Sequence, residues 1–562
     1  MKLSTTVAIV CMAILLISCA SMKTPRSPFW DVDIDSFKDY VAQKEVADIE
    51  GIWDIGGYYT IGLLREGSGY IGFILDSVHD NWLPRMVKFK VETVDDSIRT
   101  IWYMLDHSIQ IYEPIIWSYE MIFDRSLKIS THEPILLTDN LLIVGSSQLK
   151  RLDSKFPDTL IDLSADAEHI VNVVEEIHPI FIMEGMLEDD YSERRYEYLE
   201  TTKSLSSIEE FQFATERYLV SLKDAHTSII GNLPGGYVDA EFFYHDRVLY
   251  ILDEQISPEQ IEVLEIGGIS VTSLLDVIDK HFYFENEAAK RLNYPFHARQ
   301  EAILKLAGIE IPESGSIPIT LLKDGEQAII ERTMTNSLTN EVQPDYIIRH
   351  EMIDDIFYIK LTSFVDGDHI TPVVEEIEKA VQNGIWRFIL DLRDNGGGNI
   401  LIMMRLLDAW GITSQGYSDG GIHRISDPLR EFHGNLLGIF YDEVDSVIRE
   451  PNPEMDNPNN IFISVLTNGK TFSAAMLTAG VVQDGRLGNV IGEPSSNAPN
   501  SFTEIVPAPP TPILNYRIWV STAYAMRADI NADPNTLMPD ILVPAEEALD
   551  TAVEYLRGLE RE

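Results

Sequence analysis

A serine at the junction of a predicted strand and a predicted helix is the residue best suited to nucleophilic chemistry. The apolar, β-branched run Ile461–Leu466 predicts a buried strand, which Asn468-Gly469 ends. Ser473 then opens the run Ala474–Ala479, which is rich in helix formers. Unpaired amides at a helix start carry partial positive charge, so they can hold the oxyanion that forms when the hydroxyl attacks a carbonyl. The alternative is that Ser473 only caps the helix.

A glycine-rich turn follows another predicted strand further upstream. The buried strand Phe388–Arg393 runs into Asp394-Asn395-Gly396-Gly397-Gly398-Asn399, and the amphipathic helix Ile400–Trp410 comes next. Glycines at such a turn allow close approach of the backbone to a ligand and present free amides. We therefore expect an oxyanion hole made by the amide of Ala474 and one amide of Gly396–Gly398, with Gly397 as the chosen donor.

Five short motifs occur in a specific order along the chain. They are LKDAHT (Leu222–Thr227), DLRDNGGG (Asp391–Gly398), TFSAA (Thr471–Ala475), VIGEP (Val490–Pro494) and LMPDI (Leu537–Ile541). In these motifs the chain resembles the serine peptidases that include the tail-specific (C-terminal processing) proteases and the tricorn core protease. The resemblance implies a ClpP/crotonase-like core of repeated ββα units, Ser473 as the nucleophile, and neither a metal nor a cofactor.

The resemblance also indicates which residue activates the serine. In the tail-specific branch a lysine downstream of the serine is the base, but here that position is near Asn497 and no lysine follows Lys470. The tricorn branch uses a histidine from the upstream motif, which implies His226 as general base. His178 precedes a proline and is expected only to end a helix.

The acid that orients His226 is left open by the sequence. The tricorn branch orients its histidine through a serine and a glutamate, but Ala225 stands where that serine is expected. Glu493, Asp224 and Asp529 are the alternatives for the carboxylate, and Glu493 is taken as the working choice. A serine and histidine with any of these acids form workable chemistry, because a triad is recognised by geometry and not by chain order.

The composition limits the class of protein. The chain has 562 residues, 45% of them hydrophobic, and a formal net charge of −47, which fits several soluble domains and disfavours nucleic-acid binding. Its two cysteines are Cys11 and Cys19, so a mature chain that begins at Cys19 has neither a disulfide nor a cysteine-based metal site.

The first residues have the pattern of a targeting segment. Lys2 precedes the apolar run Val7–Ile17, and Leu16-Ile17-Ser18-Cys19 resembles a bacterial lipoprotein box. We expect a signal peptide over 1–18, lipidation of Cys19, a tether over 19–29 and a membrane-anchored protein of the bacterial cell envelope, facing the periplasm or the cell exterior. The alternatives are an ordinary signal peptide or a membrane helix, although the apolar run is short for a membrane span.

The rest of the chain divides into four predicted domains, making an α/β multidomain protein. Residues 30–150 predict a β-rich barrel or sandwich with a docking or a purely structural role, in which Val87–Val91 alternates as a half-buried strand. Residues 151–235 are helical, 236–345 resemble a PDZ-like insertion, and 346–562 are the catalytic core. Within the core, 412–460 is expected to be a surface loop or lid.

Together these features predict an extracytoplasmic serine-type peptidase, an endopeptidase or a carboxy-terminal-processing-like hydrolase. Its expected partners are peptide or protein substrates and a lipid anchor, without nucleic acid. The alternative is a non-catalytic protein that binds a lipophilic or peptide ligand on the same fold.

Overall fold

The chain divides into two compact units, residues 1–162 with 511–515 and residues 163–510 with 516–562. The computed structural model describes residues 29–44, 48–79, 82–94, 97–103, 127–130, 134–144, 147–153, 159–229, 235–253, 257–312, 314–335, 348–364, 370–413, 417–433 and 445–561. The predicted signal peptide and Cys19 therefore lie outside the described residues. Within these ranges no helix combines the length and the apolar character needed to cross a membrane.

The described residues of the first unit consist mainly of β-strands. They form one helix and then nine strands, at α1 (Ile34–Ala42), β1 (Gly51–Ile55), β2 (Tyr59–Glu66), β3 (Gly69–Ser77), β4 (Val87–Val94), β5 (Ser97–Tyr103), β6 (Leu127–Ser130), β7 (Ile135–Thr138), β8 (Leu141–Val144) and β9 (Ser147–Arg151). The strands form one antiparallel sheet in the order β6-β5-β4-β3-β2-β1-β9-β8-β7. The choice between barrel and sandwich stays a prediction.

Strand β4 departs from the half-buried pattern predicted for it. Lys88 is buried, and its ammonium lies 4.0 Å from the ring centroid of Tyr59 and 4.1 Å from that of Trp82. Burial lowers the pKa of Lys88 to about 8. The aromatic rings replace water as the partner of the ammonium group, so the charged side chain of Lys88 can lie on a buried face of β4.

The second unit begins with the helical segment that the sequence predicts. Its elements are α2 (Ser164–Ile177), α3 (Tyr191–Thr201), α4 (Ile208–Leu219) and the short strand β10 (Ser228–Ile229). Ile170, Val173, Val174 and Ile177 are buried along one face of α2, as their spacing predicts. A single turn of 3-10 helix at Val220–Leu222 leads from α4 to the LKDAHT motif.

An inserted domain follows, built around a seven-stranded sheet. Its elements are β11 (Tyr237–Val238), β12 (Phe242–His245), β13 (Val248–Asp253), β14 (Ser257–Ile266), β15 (Ile269–Ser270), α5 (Val271–His281), α6 (Glu287–His297), α7 (Glu301–Leu306), β16 (Ser316–Lys323) and β17 (Glu326–Thr335). The sheet order is β11-β17-β16-β14-β13-β12, with β15 paired to β14. The segment Phe282–Asn286 connects α5 to α6, and it reaches the site described below.

The remaining residues form the core and its associated strands. They are β18 (Ile348–Ile353), β19 (Ile356–Leu361), α8 (Thr371–Gln382), β20 (Arg387–Asp391), α9 (Leu401–Trp410), β21 (Gly420–Arg424), α10 (Asp427–His433), β22 (Ser446–Arg449), β23 (Phe462–Thr467), α11 (Ala474–Asp484), β24 (Gly488–Gly492), β25 (Ser501–Pro507), β26 (Ile518–Met526), β27 (Ile541–Leu542) and α12 (Ala548–Arg557).

The central sheet of the core explains why the sequence motifs meet. Its order is β18-β19-β20-β23-β24-β27, and all neighbouring pairs from β19 to β27 are parallel. Helices α8, α9 and α11 contribute to the larger apolar cluster and α12 to a second cluster, so the strands are buried on both faces. Because β20 and β23 are adjacent and parallel, the glycine turn and the Ser473 turn leave the same edge of the sheet.

A five-stranded sheet corrects the expectation of a surface loop over 412–460. β21 and β22 lie inside that range, and the sheet has the order β10-β26-β21-β22 with β25 paired to β26. The Gly, Asp, Pro and Asn content of the range misled the prediction, because short strands between turns carry the same residues. The α/β multidomain class is confirmed, whereas the ClpP/crotonase-like and PDZ-like comparisons stay predictions.

Candidate active site

Ser473 occupies a strained turn between β23 and α11. Its backbone has φ 52° and ψ −128°. Residues other than glycine rarely adopt this positive-φ conformation, which costs about 1–3 kcal/mol. Its side chain makes no capping hydrogen bond to the helix, although the residue stands at the N-cap position. The hydroxyl of this half-buried residue is thus not used as a cap, which removes the observation on which the alternative role depended.

The glycine turn packs directly against the serine. A Cβ atom on Gly397 would lie 2.7 Å from Cβ of Ser473 and 3.0 Å from the amide nitrogen of Ala474, and Gly397 itself has φ +97°. The amide of Phe472 donates a hydrogen bond to the carbonyl of Asn395 at 3.0 Å. Both the close approach and the positive φ require glycine at position 397. The glycine turn and the Ser473 turn are therefore packed tightly against each other.

The amides at these turns differ in their availability. The amide of Gly397 donates to Oδ1 of Asn395 at 2.8 Å, so the chosen donor of the predicted oxyanion hole is already engaged. The amide of Ala474, the first residue of α11, donates to no described acceptor. Gly396 and Gly398 are exposed, whereas Gly397 is buried. The amide of Ala474 is therefore available as a donor, and the amides of Gly396 and Gly398 are the candidates for a second one.

The structure brings His226 next to the nucleophile turn. Its ring lies 4.8 Å, centroid to centroid, from the ring of Phe472, the residue before Ser473. The side chain is buried, and neither ring nitrogen has a hydrogen-bond partner among the described residues. Burial lowers the pKa of His226, against the opposing effect of the Asp224 carboxylate. A neutral imidazole with a free nitrogen is the form that can accept a proton.

Asp224 holds the backbone of His226 and is the carboxylate that faces its ring. Its Oδ1 accepts a hydrogen bond from the amide of His226 at 2.8 Å and lies 4.0 Å from Nδ1 of that residue. Its Oδ2 accepts from Nε2 of His178 at 3.0 Å and from the hydroxyl of Thr227 at 2.5 Å. Although burial opposes ionisation, these hydrogen bonds hold the pKa of Asp224 well below its usual range.

His178 has a role that the sequence did not reveal. It does end α2, but its side chain is fully buried against Asp224. Its Nδ1 accepts a hydrogen bond from the amide of Ile180 at 3.2 Å, which leaves Nε2 as the protonated nitrogen that donates to Asp224. The adjacent proline predicts only the end of the helix. No local pattern links His178 to Asp224, which is 46 positions away.

The other candidates lie elsewhere. Oε1 of Glu493, the working choice for the acid, accepts a hydrogen bond from the amide of Ala545 at 3.2 Å and makes none to His226. Oδ1 of Asp529 accepts from the amide of Asn531 at 3.0 Å, and Lys470 is exposed. Of the three carboxylates left open by the sequence, only Asp224 is recorded within 4.0 Å of the imidazole. The described residues contain no cluster of histidine, cysteine and carboxylate side chains able to hold a metal ion.

Two further residues complete the surroundings of Ser473. Oδ1 of the buried Asn497 accepts a hydrogen bond from the amide of Ser473 at 2.8 Å. Nδ2 of Asn497 donates to Oε2 of Glu285 at 2.5 Å and to the hydroxyl of Ser501 at 3.1 Å. Glu285 lies between α5 and α6 of the inserted domain. Its position near Ser473 therefore depends on tertiary structure that no sequence motif predicts.

Comparison with known proteins finds one family that the core resembles. The model of peptidase family S41 matches residues 355–543, which hold the glycine turn, Ser473 and the two motifs after it. No curated protein matches the chain. His226 lies outside the matched range, so its place beside Phe472 is a finding of the structure.

Solved structures give similar matches at low identity. Mature CPAF shares 15% identity over 70% of this chain and 95% of its own, with a TM-score of 0.46. The photosystem II D1 C-terminal processing protease shares 13% over 69% and 94%, with a TM-score of 0.34. The tricorn protease shares 12% over 90% of this chain and 44% of its own, with a TM-score of 0.30. The family match covers residues 355–543, and over this part the chain is similar to peptidase family S41.

Proposed function

We propose that the protein hydrolyses peptide bonds, with Ser473 as nucleophile and His226 as general base. The observation that carries the proposal is the strained, uncapped Ser473 next to a buried, neutral histidine whose ring nitrogens are free. Asp224 is the residue that positions His226, in place of Glu493. The substrates are peptides or unfolded proteins, and cleavage is internal or near a carboxyl terminus.

The chemistry follows the two-step pattern of serine acyl transfer. The hydroxyl of Ser473 attacks the scissile carbonyl while its proton passes to His226. The negative charge on the carbonyl oxygen is held by the amide of Ala474 and an exposed amide of the glycine turn. His226 then protonates the leaving amine as the peptide C–N bond breaks, and the same residue removes a proton from the water that hydrolyses the acyl-enzyme.

A fluorophosphonate probe tests the nucleophile directly. We expect the purified protein to form an adduct on Ser473, identified by mass spectrometry of the modified peptide, and to cleave an unfolded protein substrate. Ser473→Ala should lose both the adduct and the cleavage, whereas Ser36→Ala, at an exposed serine of α1, should retain them. An adduct on another serine, or cleavage by Ser473→Ala, would refute the assignment. A folded, unlabelled protein with a copurifying lipophilic ligand would instead support a binding role.

We also propose that the protein is a lipoprotein of the cell envelope, anchored through Cys19. The support is the run Leu16-Ile17-Ser18-Cys19 after an apolar segment. Expressed in bacteria with an alkyne-bearing fatty acid, the protein should incorporate the label and partition into detergent. Cys19→Ser should abolish both, and a labelled Cys19→Ser variant would contradict the proposed site.

A further inference from the structure

A glutamate of the inserted domain makes direct contact with the segment that holds the nucleophile turn. Oε2 of Glu285 accepts hydrogen bonds from Nδ2 of Asn497 at 2.5 Å and from the amide of Ala498 at 2.6 Å. Asn497 in turn accepts the hydrogen bond of the Ser473 amide. A continuous path of two hydrogen bonds therefore joins Glu285 to the backbone of the proposed nucleophile.

The neighbouring residue fastens the same loop. Asn286 caps α6 through its Oδ1, which accepts from the amide of Ala289 at 2.9 Å. Its Nδ2 donates to the carbonyl of Ser495 at 3.1 Å and to that of Asn535 at 3.2 Å. Since Glu285 and Asn286 bind residues 495–498 from one side, the loop between α5 and α6 braces the segment that follows β24.

The state of the carboxyl group suits this bracing role. Burial raises the pKa of Glu285 to about 8, although the hydrogen bonds from Ala498 and Asn497 oppose the shift. Oε1 is sealed from solvent and has no hydrogen-bond partner among the described residues. Glutamine has nearly the same shape and keeps one acceptor oxygen for the hydrogen bonds from Asn497 and Ala498, so it is the conservative replacement at this position.

We propose that Glu285 is a positioning residue for the reaction: by holding Asn497 and Ala498, it keeps the Ser473 amide and the adjoining oxyanion donor in their reactive placement. The inserted domain thereby contributes a side chain to the catalytic machinery without touching the substrate. This inference rests on the proposed function, because positioning matters only if Ser473 is the nucleophile.

The test compares four variants in the fluorophosphonate reaction, with the maximal labelling rate and the half-saturating probe concentration measured separately. We expect Glu285→Ala to lower the maximal rate on the order of 10- to 100-fold, since a small misplacement of reacting groups has effects of this size. The half-saturating concentration should stay within about twofold, because binding of the probe does not use Glu285. Glu285→Gln should recover most of the rate. Glu287→Ala, which removes an exposed carboxylate two residues away, should match the wild type.

A double variant tests the path itself. If Glu285 acts through Asn497, the Glu285→Ala/Asn497→Ala protein should be little slower than Asn497→Ala alone, because residues in one network are not additive. Fully additive losses would overturn the path. Wild-type labelling rates in Glu285→Ala would overturn the inference and leave the proposed function intact.

A measurement that does not depend on activity distinguishes failure of the positioning role from failure of the proposed function. Hydrogen exchange of the peptide containing Ser473 reports whether its amide stays bonded to Asn497. Faster exchange in Glu285→Ala than in Glu287→Ala shows that Glu285 holds the Ser473 amide in place. If the wild type also takes up no probe, the proposed function is refuted, and Glu285 is then a purely structural contact. Equal exchange in the two variants refutes the positioning role. Should Glu285→Ala not fold, Glu285→Asp replaces it in both measurements, because its shorter side chain cannot reach both donors.

Discussion

The serine half and the histidine half of the candidate site are held in place in different ways. The serine half, which consists of the glycine turn and the Ser473 turn, is held together by hydrogen bonds. They run from Phe472 to Asn395, from Gly397 to Asn395 and from Ser473 to Asn497. The ring of His226 has no hydrogen-bond partner among the described residues and lies against Phe472, while its backbone amide is bonded to Asp224. Ser473, the proposed nucleophile, is thus held by directional bonds, whereas the ring of His226, the proposed base, is held by packing.

The largest expected effect comes from removing the base. His226→Ala should lower the rate of fluorophosphonate labelling by about 10²- to 10⁴-fold, the usual contribution of a general base. His245→Ala, at an exposed histidine, is the control and should label normally. In the wild type the rate should fall with acid only below pH 6.5, because burial lowers the pKa of His226 and keeps it neutral down to that range.

Normal labelling of His226→Ala would show that the imidazole serves only in packing and is not the base. The two halves would then no longer differ in the way described above. An acid limb well above pH 6.5 would indicate a different base.

A second variant tests how tightly the serine half is fitted. Gly397→Ala places a methyl group 2.7 Å from Cβ of Ser473 at a φ of +97°, so one of the two turns must shift. We expect about a 100-fold loss of labelling and about 1–3 kcal/mol lower free energy of unfolding, measured by denaturant titration. Gly469→Ala, where an added Cβ meets nothing within 4 Å, is the control. Unchanged labelling of Gly397→Ala would mean that this half is less rigid than its hydrogen bonds indicate.

The smallest effects come from a matched pair of carboxylates. Asp224→Asn keeps only one acceptor oxygen, so its NH2 group must face either the N–H of His178 or the amide of His226; we therefore expect about a tenfold loss of labelling and a lower melting temperature. Glu493→Gln keeps an acceptor for the amide of Ala545, so labelling should stay within about twofold of the wild type. Labelling rates and thermal melts of both variants decide which carboxylate supports His226, and the reverse ranking would restore Glu493 as the acid.

The sequence reveals the serine half more completely than the histidine half. The strands before Asn395 and Ser473 and the helices after them follow from continuous apolar runs, glycines and helix formers, all of which are local signals. Parallel pairing of β20 with β23 then brings the two turns together. Even so, the engagement of the Gly397 amide by Asn395 depends on a side-chain rotamer that no pattern reports.

The histidine half depends on contacts between distant parts of the chain. The resemblance implies His226, but the sequence does not choose between Glu493, Asp224 and Asp529 as its acid, because it gives no measure of their distance from the ring. His178, Asn497 and Glu285 were missed because each acts through a partner far away in the chain, up to 212 residues for Glu285 and Asn497. Local propensities carry no information about such pairs.

The pairing of β10 with β26 also limits when the candidate active site can first assemble. Ser228 pairs with Trp519, and the hydroxyl of Thr227 accepts a hydrogen bond from the amide of Ser521, 294 residues later. A chain still on the ribosome lacks these partners until nearly all of it has been synthesised, so His226 cannot take its final place earlier. If the proposed function is right, an incomplete chain still on the ribosome should have no peptidase activity.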